Sequence, residues 1–182
     1  MLEIRWHGRG GQGSFTVARL LGMAASVYGG KYAQAFPSFG PERRGAPVLG
    51  FTRIDDKKIT DRSEVHECDY VIVLDETLWG PSVLKGLKEN TVIIVNTKTK
   101  EKYPNEVKNK VVCFDATTIA IEYLNRPITN TAMLAVLMGV SDIISLDECK
   151  NALKESMKTK IADKNILLVD KVYHMVKEEI HG

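Results

Sequence analysis

Leu2-Glu3-Ile4-Arg5-Trp6-His7-Gly8-Arg9-Gly10-Gly11-Gln12-Gly13 opens the chain and decides how the rest is read. Ile4 and Trp6 alternate with Glu3 and Arg5, the period-two pattern of a strand. Four glycines then fall within Gly8–Gly13, and Val17, Leu20, Leu21, Ala24 and Tyr28 follow at helical spacing. Strand, glycine turn and helix in this order open a parallel α/β fold, and the glycines at 8, 10 and 13 fit G-x-G-x-x-G in the context that motif needs. Without a Cβ, the backbone of such a turn can take positive φ and lie close to another group. The unpaired N–H groups of the helix's first turn favour an anion. Gly8, Arg9, Gly10, Gly11, Gln12 and Gly13 are therefore candidate binding residues.

A dinucleotide site also needs an acid about 20 residues further on, for a ribose hydroxyl. Tyr28 to Pro41 contains none, which argues against bound NAD or FAD. The first acid is Glu42, beside Arg43 and Arg44. These three lie in Lys31–Pro47, which has three prolines, two glycines and two phenylalanines. That composition reads as a loop, yet Phe36 and Phe39 are costly to leave in water. Arg43 and Arg44 offer forked donors to a carboxylate or phosphate. The segment reads as an interface or ligand loop, and Glu42, Arg43 and Arg44 join the candidate site.

Val48 to Ile54 reads as a strand, with Asp55-Asp56 turning into a short return near Lys58 to Thr60, an antiparallel excursion. Tyr70–Leu74, Val92–Val95 and Val111–Phe114 are continuous apolar runs, which suit parallel strands buried on both faces. They end in Asp75, Asn96 and Asp115, at the sheet edge where ligands sit in open α/β folds, although such residues also make turns and caps. Asp115 starts a helix through Tyr123, and Pro127 breaks the pattern. Thr129 or Asn130 caps a helix over Thr131–Gly139. Ser145-Leu146-Asp147-Glu148 is a capping box for a helix to about Met157. Lys158–Asp163 reads as a polar link, and Ile166 to Ile180 carries the apolar face of a last helix. The whole, residues 1–182, is expected to be a single α/β domain: three-layer α/β/α with a mostly parallel, Rossmann-like sheet.

The net charge of +2 is too small to argue for nucleic acid or an anionic membrane. No apolar run approaches the roughly 18 residues that span a bilayer, and the N-terminus reads as a strand and not a signal peptide, so a cytoplasmic location is expected. Cys68, Cys113 and Cys149 are scattered, with no C-x-x-C spacing to support zinc or an iron–sulfur cluster. His7, at the strand end, is the one histidine placed for function, with a hydrogen-bonded structural role the stronger reading. No nucleophile elbow, P-loop or H-E-x-x-H is present, so neither a catalytic residue nor a metal site is assigned.

Three motifs in order carry a resemblance: His7–Gly13, the segment Gln34–Pro37 through Phe39–Pro47, and Pro127-Ile128-Thr129-Asn130-Thr131-Ala132-Met133. Together they resemble the gamma subunit of 2-oxoacid:ferredoxin oxidoreductases, most closely of the pyruvate:ferredoxin oxidoreductase (pyruvate synthase) branch. The likeness runs from residue 2 to about 140. It implies a subunit, not active alone, of an enzyme taking a 2-oxoacid, coenzyme A and oxidised ferredoxin to acyl-coenzyme A, carbon dioxide and reduced ferredoxin. It further implies thiamine diphosphate and iron–sulfur clusters held by partner alpha, beta and delta-type subunits, coenzyme A as co-substrate, and ferredoxin met through the complex. Pro41-Glu42 is similar to branches acting on other 2-oxoacids, which leaves the acyl group open. The alternative is a free-standing Rossmann-like nucleotide-binding oxidoreductase domain.

Overall fold

The computed structural model describes residues 1–38, 44–99, 103 and 108–181. The strands are β1 (Leu2–Arg9), β2 (Tyr32–Pro37), β3 (Pro47–Asp55), β4 (Cys68–Val73), β5 (Leu87–Asn96) and β6 (Lys110–Phe114). They form one sheet in the order β2-β3-β1-β4-β5-β6. β1, β4, β5 and β6 run parallel, whereas β3 is antiparallel to both β1 and β2. The helices are α1 (Ser14–Met23, continuing as a π-helical turn through Ala24–Tyr28), α2 (Pro81–Leu84), α3 (Ala116–Leu124), α4 (Asn130–Ser141), α5 (Leu146–Ser156) and α6 (Thr159–His181). No helix is long and apolar enough to cross a membrane.

Alternation along the strands divides the core in two. Ile4, Trp6, Ile72 and Ile94 point to one face, where α1, α3, α4, α5 and α6 supply the main core. Val71, Val73, Ile93 and Val95 point to the other, covered by α2 through Val83 and by Val65 and Tyr103. The outer layers are therefore unequal. α4 is buried from Asn130 to Gly139, which explains its run of small and apolar residues. Trp6 is fully buried, and burial of such a side chain contributes about 1.5–3 kcal/mol. Its indole N–H donates to the Thr52 hydroxyl (3.2 Å), which donates to the Ala18 carbonyl (3.0 Å), tying β1 and β3 to α1.

The structure departs from the sequence reading in three places. Tyr32–Pro37, expected as loop, is an edge strand, where Pro37 costs nothing because it closes the strand. Lys58–Thr60 forms no return strand; the antiparallel partner of β3 is β2 instead. Lys158–Asp163, expected as a link, mostly belongs to α6, which begins at Thr159.

Candidate functional site

The chain leaves β1 through α1 on the main-core face and leaves β4 through α2 on the opposite face. Between β1 and β4 the sheet therefore has a crevice at its carboxyl edge, the place where open α/β sheets bind ligands. The glycine turn, the Asp75 turn and the start of α4 all meet there.

Much of the turn is tied internally. Gly10 donates its N–H to the Ala46 carbonyl (2.8 Å) and accepts from the Gly45 N–H (3.1 Å), so it pins the segment that leads into β3. The exposed Arg44 forms a bridge with Gly10. Gln12 closes the turn from within: its Oε1 accepts from the Arg9 N–H (2.7 Å) and its Nε2 donates to Asp75 Oδ2 (3.0 Å). At Gly8 a Cβ would stand 2.2 Å from Ser14 Oγ, so glycine is required for close approach. Gly13 takes φ 80°, and a Cβ there would meet Asn130 Nδ2 at 2.5 Å. Asn130 donates to the Gly13 carbonyl (3.4 Å), which brings the start of α4 against the start of α1.

Arg9 joins this turn to the next strand. Its Nη2 donates to Thr77 Oγ1 (2.8 Å), its Nη1 to the Gly45 carbonyl (3.1 Å), and its Nε lies 3.3 Å from Asp75 Oδ2. Burial pushes the Asp75 carboxyl up, but hydrogen bonds from Thr77 and Gln12 and the Arg9 charge outweigh it and hold the group below the usual carboxylate range. Asn96 fixes the neighbouring strand end, donating to the Leu74 carbonyl (2.9 Å) and accepting from the Ala116 N–H (3.0 Å). His7 accepts the Arg5 Nε–H at Nε2 (2.9 Å), and burial, with the Arg5 charge, lowers it to about 3. It is a neutral structural group.

What remains open faces two cavities. One, about 280 Å³, lies at the start of α1 between Arg9, Gly10, Gly11, Gly13, Ser14 and β3. The N–H groups of Gly13, Ser14, Phe15 and Thr16 have no acceptor among the described residues. Ser14 is 2% exposed, and its Oγ, turned toward Gly8, has no hydrogen-bond partner among the described residues. The other cavity, about 420 Å³, lies between Gln12, Asp75, Asn96, Lys98 and Thr129. Unpaired N–H groups at a helix start carry positive partial charge and suit phosphate or carboxylate. Of the candidate residues, Gly8, Gly10 and Gln12 build the turn, Gly11 and Gly13 give it its positive φ, and Arg9 and Arg44 flank it. Glu42 and Arg43 lie outside the described residues. Sequence reading missed Ser14 and Asn130. Ser14 carried the signal of a helix-start hydroxyl directly after the turn, whereas nothing local connects Asn130 to Gly13. No three His, Cys, Asp or Glu side chains converge as metal ligands among the described residues.

A mostly parallel sheet with a glycine turn and an anion-suited helix start defines a Rossmann-like binding fold. More narrowly, the model of the pyruvate ferredoxin/flavodoxin oxidoreductase family matches residues 3–175, and the chain belongs to that family. It is 47% identical to the pyruvate synthase subunit PorC of Methanocaldococcus jannaschii, over 96% of each chain. It is 48% identical to the common subunit gamma of the pyruvate/ketoisovalerate oxidoreductases of Thermococcus litoralis, over 91% of each. The crystal structure of the pyruvate oxidoreductase subunit PORC from Thermotoga maritima superposes with a TM-score of 0.84 at 35% identity, covering 95% of each chain. These matches favour an oxidoreductase subunit of the gamma type over a free-standing nucleotide-binding domain.

Proposed function

We propose that this chain is the gamma subunit of a complex converting pyruvate or another 2-oxoacid, with coenzyme A and oxidised ferredoxin, to acyl-coenzyme A, carbon dioxide and reduced ferredoxin. Partner alpha, beta and delta-type subunits hold thiamine diphosphate and the iron–sulfur clusters, which supply decarboxylation and electron transfer. The chain's own part is to hold a phosphate of coenzyme A at the start of α1. One observation carries this reading: four adjacent N–H groups, Gly13 to Thr16, have no acceptor among the described residues and lie at a cavity lined by Arg9 and by Gly10, the bridge partner of Arg44. Arg9 is held by Asp75 and Thr77, which fixes its guanidinium beside the turn. Arg43 and Arg44 add forked donors that suit phosphate oxygens.

Choice of the 2-oxoacid rests with the partners. Relatives of near-equal identity include a pyruvate synthase subunit and a subunit common to pyruvate and ketoisovalerate oxidoreductases, which supports a part in the reaction that does not see the acyl side chain. The test is the double substitution Arg43→Ala/Arg44→Ala in the assembled enzyme. Arg44 is exposed, and exposed charges add little to stability, so the domain should fold and assemble. The apparent KM for coenzyme A should rise about tenfold or more, the loss of one or two charged contacts, with kcat and the KM for pyruvate little changed. An intact complex with wild-type coenzyme A kinetics overturns the assignment. Dissociation on a sizing column places the arginines at a partner interface instead.

A further inference from the structure

β2 ends the sheet and bonds to β3 alone. In an antiparallel pair, alternate residues bond to the neighbour and the others turn away from it. Ser38 donates its N–H to the Leu49 carbonyl (2.9 Å) in the register of the pair, so Phe36, Gln34 and Tyr32 are the residues that bond to β3. The N–H and C=O groups of Ala33 and Ala35 therefore point outward, and they have no partner among the described residues. This outward edge is closed at both ends. Pro37 has no N–H, and the Lys31 N–H is taken by the Ala25 carbonyl (2.9 Å).

Those two stops select one way for a second copy of the edge to pair with the first. A twofold axis that keeps both alanines opposite the stretch from Lys31 to Pro37 passes through Ala33, Gln34 or Ala35. An axis between residues sets outward groups against inward ones. With the axis at Ala33, the Ala35 carbonyl faces the engaged Lys31 N–H. With the axis at Ala35, the Ala33 carbonyl faces Pro37 and gains no donor. With the axis at Gln34, Ala33 meets Ala35 of the second copy, and every outward N–H of both alanines meets a carbonyl.

The side chains fit the same register. It sets Tyr32 opposite Phe36 of the second copy, on both sides of the axis. Tyr32 is 50% exposed. Phe36 packs on Phe51, with ring centres 5.3 Å apart, and with Gln34, Ala35 and Arg62 it lines a cavity of about 360 Å³ beside the edge. The ring of Tyr32 from the second copy reaches this cavity, where an aromatic cross-strand pair forms and Arg62 offers a cation to the ring. Gln34 lies on the axis. Its amide donates to the Ile59 carbonyl (3.2 Å) and keeps a second N–H and its oxygen for the facing Gln34.

We propose that two copies of this chain pair through β2, antiparallel about Gln34, and join their sheets into one. Open sheets of that width occur in large α/β enzymes, and the pairing covers an edge that is otherwise an aggregation hazard.

Sedimentation equilibrium of the full chain tests this. The interface is small, so a monomer–dimer equilibrium is expected at about 1–100 µM. Monomer alone up to about 500 µM overturns the proposal. Gln34→Cys places two thiols on the axis at a position not hydrogen-bonded across the pair, where Cα atoms stand about 4.5 Å apart, within disulfide reach. Mild oxidation should link this variant into a dimer and leave Tyr32→Cys and the wild-type chain unlinked. Linkage of Tyr32→Cys in place of Gln34→Cys overturns the register. Ala35→Pro removes an outward N–H without touching a bond to β3, a change that an edge strand tolerates. It should be monomeric with the circular dichroism of the wild type, and Tyr32→Ala should weaken the dimer about tenfold. An Ala35→Pro chain that pairs like the wild type overturns the proposal. If that variant fails to fold, the oxidation of Gln34→Cys decides alone.

Discussion

His7 shows how much a neighbour decides about a residue. In sequence it stands at the end of the first strand beside a glycine turn, where a catalytic base could stand. In the fold it is 3% exposed, with the Arg5 guanidinium donating to its Nε2. Arg5 is itself buried and also donates to the Val83 and Lys85 carbonyls, so it cannot move away when His7 takes a proton. Burial first, and the Arg5 charge second, lower His7 from 6.5 to about 3. Between those values the unfolded chain binds a proton that the folded chain refuses. The stabilisation is therefore complete above about pH 6.5 and is lost as pH falls toward 3, with a slope approaching about 1.4 kcal/mol per pH unit. His7→Gln keeps an acceptor for Arg5 and does not titrate. Urea unfolding between pH 6.5 and 4 should give a wild-type stability that falls more steeply with acid than that of His7→Gln. Parallel acid limbs would show that His7 is not held neutral. The contact itself was not legible, since alternation puts Arg5 and His7 on one face without saying that five helices fill the other.

At the scale of elements, the parts written in local chemistry were legible. The capping box at Ser145 is present as read: Ser145 Oγ accepts from the Glu148 N–H (3.2 Å), and Glu148 accepts from the Ser145 N–H (2.7 Å). Ser145→Ala removes one of these bonds and should cost about 1 kcal/mol, a fall in melting temperature of about 2–4 °C in calorimetry. An unchanged melting temperature would mean that α5 is held by its packing on α1 and α6 alone. The apolar runs of β4, β5 and β6, the glycine turn and the last helix were legible for the same reason, because their patterns are periodic or local. β2 was not. Its sequence, Tyr-Ala-Gln-Ala-Phe-Pro, carries weak strand propensity and a proline, and it is a strand because β3 lies beside it in antiparallel register from Tyr32 to Pro37. Thr159–Asp163 likewise became helix through tertiary support of α6. Asn130 reaching Gly13 spans 117 residues, a distance at which no local pattern operates.

At the scale of the whole molecule, the cysteines are dispersed. Cluster ligation needs thiolates gathered in one place. Here Cys68 lies in the core under α2 and Cys149 in the core under the five helices, on opposite faces of the sheet. Burial pushes their thiols up to about 11 and about 12, so neither is a ready thiolate. The glycine turn, by contrast, holds three segments together at the carboxyl edge through Gly10, Arg9 and Gln12. These bonds fix the start of α1 in place beside the Asp75 turn. The purified chain should therefore be colourless and should not reduce a viologen dye with pyruvate and coenzyme A. Addition of the partner subunits should restore turnover. It should also raise the chain's melting temperature with partner concentration, because a partner that binds only the folded state stabilises it by mass action. Dye reduction by this chain alone would refute the subunit reading. Turnover restored without any shift in the melting temperature would show instead that the partners reach coenzyme A without resting on this chain.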